Sequence, residues 1–410
     1  MLRTQKGFSV GKFLFSILTI LALVALFFRT EIQRIHHGLT LFDEANIVEN
    51  MRNSNEHYLS RDVSAGNHVW PLEKGDTLIL PENFDYHGER LNSEEYLHYT
   101  HTGSLLVLQH GKIRLETYYR DETETDRHIS FSVAKSFISA LFGMAVSEGK
   151  IDIEKKADDY VPSLKGSGYE GVRIKDVLQM SSGVKFNEDY ADLNSDINRF
   201  GRILALGGSF DDFAASLENE VSPGTRRLYV SIDTQVLGMI LREATGQSIS
   251  DYMQEKLWQP MGAESDAYWV TDSYDMEMVL GGLNAVLRDY GRFGQLALQN
   301  GQRGGTQIIP AQWMQDSLKT DAPHLKAKED ERSMDNWGYG YQWWLPPATP
   351  EHPGVFMAVG IYDQYIYIDP ARELVIVKLS GNPHYTDDEY DSVPKTLALF
   401  RAIAKASDAG

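Results

Sequence analysis

The sequence predicts a mixed α/β fold, more narrowly α+β: one antiparallel sheet flanked by helices, with an all-helical lobe inserted between its strands. Three observations predict it. Residues 104–119 read as a β-hairpin, the middle of the chain carries apolar residues at helical spacing, and the carboxyl third returns to strands before a last helix. Strands from both ends would then share one sheet, and the cleft between sheet and helical lobe is a natural substrate site. With 410 residues, 42% of them hydrophobic, the chain is large enough for one large domain or two closely packed ones.

The first element sets the expected compartment. Phe13 to Phe28 reads FLFSILTILALVALFF without a charge, and Arg3, Lys6 and Lys12 precede it. Sixteen helical residues span roughly 24 Å, a little short of a bilayer core of about 30 Å, and snorkelling Lys12 or Arg29 extends the reach. The run ends in the bulky Leu26-Phe27-Phe28-Arg29, where a cleaved signal peptide would show small residues. An uncleaved signal-anchor over 13–29 is therefore expected, with 1–12 in the cytoplasm and the rest exported to the periplasmic or extracellular side. A cleaved signal peptide is the rival reading.

Residues 30–85 form a polar connecting segment, punctuated by Pro71, Gly75 and Pro81, expected to pack irregularly on a main domain at 86–405. In that domain the hairpin Ser104–Tyr119 turns at His110-Gly111. Helical spacing then marks Val133–Val146, stopping before Gly149, and Thr234–Thr245, stopping at Gly246. Asp251–Pro260 and Asp289–Gln299 are further helices, so the helical lobe occupies about 131–290. Strands are expected at Gly338–Trp344, Val355–Gly360, Gln364–Ile368 and Glu373–Leu379, with Asp369-Pro370-Ala371-Arg372 as the turn between the last two. Ser392–Ala404 is the final helix.

Composition removes several functions. A net charge of −19 repels nucleic-acid phosphates. The absence of cysteine excludes disulfides, thiolate zinc sites and a cysteine nucleophile. No His-Glu-x-x-His or comparable spacing points to a metal, and no motif calls for a cofactor. His36-His37 reads as an interfacial pair just outside the membrane.

Ser-x-x-Lys places a hydroxyl and an amine on one helical face, a nucleophile signature that is weak alone. It occurs five times here, at Ser9, Ser132, Ser147, Ser182 and Ser392. Ser9 precedes the apolar run, Ser147 sits at a helix end, Ser182 is followed by Gly183, and Ser392 has a proline inside the motif. Only Ser132 opens a strong apolar helix, where unpaired N–H groups and the helix dipole favour developing negative charge. Its bland alternative is a helix cap followed by a surface lysine.

Ser132-Val-Ala-Lys135 resembles the active-site tetrad of the serine β-lactamase and penicillin-binding-protein superfamily. Phe-Ser132-Val-Ala-Lys135-Ser-Phe is similar to the class C-like esterase and 6-aminohexanoate-dimer hydrolase (nylon-oligomer hydrolase) branch. The resemblance runs over roughly 85–405. It includes Lys175-Asp-Val-Leu-Gln-Met-Ser-Ser-Gly183, Pro223-Gly-Thr225 and Tyr229-Val-Ser231. It continues through Gly281-Gly-Leu-Asn284, Asp289-Tyr-Gly-Arg-Phe-Gly294 and Trp337-Gly-Tyr-Gly-Tyr-Gln-Trp-Trp344. It implies a β-lactamase/transpeptidase-like fold and an acyl-enzyme mechanism with Ser132 as nucleophile, Lys135 as base and Tyr229 as proton carrier. It further implies an oxyanion hole from the backbone N–H groups of Ser132 and Ile361, and substrate contacts at Tyr190, Ser231, Gly360, Tyr362 and Gln364.

Two departures stand out. Ser231 replaces the asparagine of Tyr-x-Asn and lacks its amide donor; a helix N-cap is an equal reading. Ala358-Val-Gly360 stands where β-lactamases carry Lys-Thr-Gly, removing the cation that binds a substrate carboxylate, and Lys319-Thr-Asp321 is a decoy upstream. The expected substrate is therefore a small ester or amide. The alternatives are a penicillin-recognising D,D-peptidase or β-lactamase, and a non-catalytic membrane-tethered binding protein. Tyr190 could equally be a packing residue at the lobe edge, and Trp343 and Trp344 read as core or cleft wall.

Overall fold

A computed structural model of the chain describes residues 10–52, 54–387 and 392–409. Apart from a short hairpin at Gln302–Arg303 and Thr306–Gln307, its strands in chain order are β1 (Ser60–Val63), the hairpin β2 (Asn83–Tyr86) and β3 (Glu89–Asn92), β4 (Thr102–Gln109), β5 (Lys112–Tyr118) and β6 (His128–Ile129). Inside the stretch expected to be all-helical lie β7 (Ala267–Val270) and β8 (Leu283–Ala285), and beyond it come β9 (Gly338–Tyr339), β10 (Trp344–Leu345), β11 (Phe356–Gly360), β12 (Gln364–Asp369) and β13 (Leu374–Ser380). The main helices are α1 (Val10–Phe27), α2 (Arg29–Thr40), α3 (Ala134–Ser147), α4 (Asp196–Leu206), α5 (Ile232–Thr245), α6 (Leu287–Leu298) and α7 (Ser392–Ala406).

Strands from both ends of the main domain do share one sheet, antiparallel throughout, in the order β9-β10-β11-β12-β13-β4-β5. The carboxyl-terminal β13 joins the amino-terminal β4, with Ile376 opposite Val107. Alternation sorts side chains between the two faces. Leu106, Leu108, Ile366, Ile368, Val375 and Val377 join the core that includes α6, whereas Leu105, Val107, Tyr367 and Ile376 pack with α7. The glycines of Tyr290-Gly-Arg-Phe-Gly294 follow from this contact. A Cβ at Gly291 would lie 2.6 Å from Leu106, and one at Gly294 2.6 Å from Val375, so α6 reaches the sheet only where side chains are missing.

Two expectations need correction. Gly338–Trp344 is not one strand but two, β9 and β10, paired as a hairpin. Gln342 turns the chain at φ 63°, and its side chain is tied inward to Thr234 and Leu178. Residues 30–85 are also more ordered than a loose connector. α2 packs on α4 of the helical lobe, and β1 pairs with β7 in a second sheet of order β1-β7-β8-β6.

All of the apolar run but Phe28 lies in α1, whose 18 residues span about 27 Å. Phe15 is 72% exposed and Phe27 82%. Among residues whose side chains are described, no helix is long and apolar enough to cross a membrane.

Candidate active site

Ser132 lies at the meeting of three elements. β6 leads in, the turn Phe131–Val133 carries the serine, and α3 departs. The serine therefore sits in a 3₁₀ turn ahead of α3 rather than inside its first α-helical turn. Phe131 has φ 41°, a costly backbone for a bulky residue, placed immediately before the proposed nucleophile.

Lys135 is buried at the start of α3. Its Nζ lies 2.8 Å from Ser132 Oγ and donates to the Leu280 carbonyl at 2.6 Å. Burial pushes its pKa down from 10.5 to about 7, against a smaller opposing pull from the Glu188 carboxylate. A shift of that size disfavours the charged form by about 5 kcal/mol.

The Tyr229 side chain hydrogen-bonds that of Ser132, and Lys135 Nζ lies 5.5 Å from the tyrosine ring centroid. The three side chains are thus gathered in one place, with Ser132 lining the adjoining cavity. Burial, then the Glu188 charge, raises the Tyr229 pKa; its bonds to Ser132 and Ser231 oppose that rise. The ring is held by stacking on Trp344 at 5.2 Å and an edge contact with Tyr339 at 6.0 Å, which makes Trp344 packing support. The loop carrying Tyr229 is tied to the 175–183 stretch through Leu228 N to Met180 O at 2.9 Å and Gly224 N to Ser181 O at 2.8 Å. That brace gives the Lys175–Gly183 motif a physical role.

Ser231 is not a conventional side-chain cap. Its Oγ and its N–H both donate to Glu188, the N–H at 2.8 Å. Tyr190 donates to the same carboxylate at 2.6 Å. Ser132, Tyr190, Ser231 and Ile361 line one cavity of about 460 Å³. Glu188 went unnoticed in the sequence although it stands in Asn187-Glu-Asp-Tyr190. No local pattern separates it from the other 57 acidic residues, since only the fold brings it to Ser231.

The remaining expected contacts each have a structural role as well. A Cβ on Gly360 would lie 2.5 Å from Ser130 O and 3.1 Å from Ser132 N, so glycine is needed where β11 passes the serine turn. Gln364 is fully buried, with its amide spent on the Tyr362 and Ser380 carbonyls and its oxygen accepting from Ser380 N. It is a clamp on the 361–363 turn. Tyr362 stacks on Phe42 at 4.3 Å and is 5% exposed, so it braces the roof of the site rather than offering a free face.

Tyr362 and Asp363 take φ of 57° and 71°, and the turn is held from beneath by buried groups absent from the sequence reading. Asp363 accepts from Tyr365 OH and Asn382 Nδ2, and Lys378 lies 3.6 Å away. Burial lowers the Lys378 pKa to about 8, partly offset by Asp363. The signal available was a lysine in the otherwise apolar Leu374–Leu379 run.

Among the described residues no group of three or more His or carboxylate side chains could hold a metal.

This fold and cleft define a β-lactamase-type serine hydrolase. Residues 95–399 match the β-lactamase family, and the chain belongs to it. It is 30% identical over 324 residues to the 6-aminohexanoate-dimer hydrolase of Paenarthrobacter ureafaciens, covering 77% of this chain and 81% of that one. A solved structure described as a candidate 6-aminohexanoate-dimer hydrolase from Bacillus anthracis is 25% identical. It superposes with a TM-score of 0.79 and covers 90% of this chain and 95% of that one. A class C β-lactamase shares the fold at 18% identity and a TM-score of 0.56, over 76% of this chain and 93% of its own.

Proposed function

We propose that the protein hydrolyses a carboxylic ester or amide through an acyl-enzyme on Ser132. The observation that carries this reading is the 2.8 Å contact between Ser132 Oγ and a buried Lys135 amine whose pKa is lowered to about 7. An ordinary lysine is almost wholly protonated at neutral pH and cannot accept a proton; this one is about half neutral.

Neutral Lys135 takes the Ser132 proton as Oγ bonds to the substrate carbonyl carbon. The negative charge formed on the carbonyl oxygen is received by the backbone N–H groups of Ser132 and Ile361, each such donor supplying about 10²–10³ in rate. Tyr229, bonded to Ser132, relays the proton to the departing alcohol or amine as the bond from the carbonyl carbon to that group breaks. Water then attacks the acyl-enzyme, giving up a proton through the same pair, and Oγ leaves with a proton restored. The net reaction is ester or amide plus water to carboxylic acid plus alcohol or amine. Glu188 holds Ser231 and Tyr190 beside this catalytic group.

The named activity of the Paenarthrobacter relative supports aminohexanoate-type amides as substrates to test. Ala358-Val-Gly360 in place of a lysine-bearing motif removes the cation that would hold a penicillin carboxylate, which favours esters and amides with no carboxylate beside the scissile bond. We also assign α1 as a membrane anchor with the hydrolase domain exported, on the strength of its apolar sequence.

The test is a panel of p-nitrophenyl esters, aminohexanoate dimers, D-amino-acid peptides and nitrocefin. Ester or amide turnover that disappears in Ser132→Ala, with an unchanged melting temperature, is the expected result. Full activity in Ser132→Ala, or turnover confined to nitrocefin, would overturn the assignment.

A further inference from the structure

The cavity beside Ser132 is far more apolar than a small polar amide needs. Phe200 and Leu204 of α4 form one wall, Leu280 another, and Phe42, just beyond α2, the roof. Several polar side chains in the lining already have partners. Asn50 Nδ2 donates to the Thr40 and Leu41 carbonyls, each at 3.0 Å, and Asn198 Nδ2 donates to the Tyr190 and Asp192 carbonyls at 3.1 and 2.8 Å. The Arg202 guanidinium gives one of its donors to the Leu193 carbonyl at 2.5 Å. The lining is otherwise largely apolar, so it suits an occupant that asks for few hydrogen bonds along most of its length.

The mouth has the same character. Leu39, Leu193 and Leu206 all line the cavity, yet they are 79%, 75% and 67% exposed. Large leucines left in water around an opening mark a surface meant to meet something apolar. Leu39 belongs to α2, which follows directly on α1, so roof and mouth are completed by the amino-terminal segment that sequence reading had set aside as a connector.

We propose that this cavity is the acyl subsite, and that the substrate is an ester of a medium- to long-chain aliphatic carboxylic acid. The inference rests on Ser132 acting as an acylated nucleophile. The carbonyl sits between Ser132 and Ile361, and the alkyl chain runs between α2 and α4 towards the leucine-rimmed mouth. Attack by Oγ releases the alcohol, and water then releases the fatty acid, so no co-reactant beyond water is needed.

The full-length protein in detergent is assayed against p-nitrophenyl acetate, butyrate, octanoate and laurate, each below its aggregation limit. kcat/KM is expected to rise about three- to fourfold per methylene until the cavity is filled, the gain from burying each CH₂. Two variants narrow the cavity. Leu204→Trp enlarges a wall residue, and Gly201→Phe starts from a lining position where an added Cβ meets nothing within 4 Å. Each is expected to lower the laurate-to-acetate ratio of kcat/KM at least tenfold. Acetate turnover with a flat or falling chain-length profile overturns this inference while leaving the hydrolase reading intact. So does an unchanged ratio in whichever variant retains the wild-type circular dichroism spectrum. No turnover of any ester, with Ser132 unlabelled by a fluorophosphonate, overturns both.

Discussion

Lowering the pH should silence the enzyme through Lys135 alone. With the amine pKa at about 7 rather than 10.5, the neutral fraction at pH 7 is about one half instead of about 1 in 3,000, a gain of about 10³ in competent base. Below that pKa the neutral fraction falls tenfold per pH unit, to about 10% at pH 6 and 1% at pH 5. kcat/KM for a p-nitrophenyl ester, read at the isosbestic wavelength of the leaving group, should therefore climb with unit slope to about pH 7 and then level off. Glu188→Gln adds a second arm. That carboxylate holds the Lys135 pKa up, so its removal should move the acid limb to lower pH. A limb near pH 10, or one that shifts upward in Glu188→Gln, would refute the claim that a desolvated lysine is the base.

Three other outcomes follow from the same geometry. Lys135→Met should abolish turnover yet raise the melting temperature near pH 6. The folded pKa lies below the unfolded one, so the cost of the buried amine is fully present below about pH 7 and is relieved as pH rises towards 10.5. The gain in the Met variant, measured by calorimetry, should accordingly shrink between pH 7 and 10. Tyr229→Phe should lose about 10²–10⁴ in kcat on every substrate, as expected for a proton carrier, whereas Tyr190→Phe should lose activity on some substrates only. Gly360→Ala places a Cβ 2.5 Å from Ser130 O, which must push the serine turn aside; a fall of about 10² in kcat/KM is expected in steady-state assays.

What the sequence revealed, and what it hid, follows from the range of the interactions. The 104–119 hairpin, the strand run from 355 to 379, and the helices beginning near 134 and 234 are written in local periodicity, and the structure has them. Ser132, Lys135 and Tyr229 were legible because a motif names them, and they meet. Glu188 and Asp363 were not, since their meaning comes from contacts with Ser231 and Lys378, which lie 43 and 15 positions away. For Gln364, adjacency to the proposed oxyanion donor is visible in sequence, whereas the direction of its side chain is decided by the buried carbonyls of Tyr362 and Ser380. The Gly338–Trp344 error has a similar origin, because alternating aromatic residues satisfy a strand pattern on either side of a tight turn.

Mass spectrometry of the protein after brief exposure to a fluorophosphonate or a slowly turning-over ester bears most directly on the central claim. One adduct is expected, on the peptide containing Ser132, formed at a rate that follows the Lys135 titration near pH 7 and absent from Ser132→Ala. An adduct on a different residue, or efficient ester turnover with Ser132 never modified, would contradict the account.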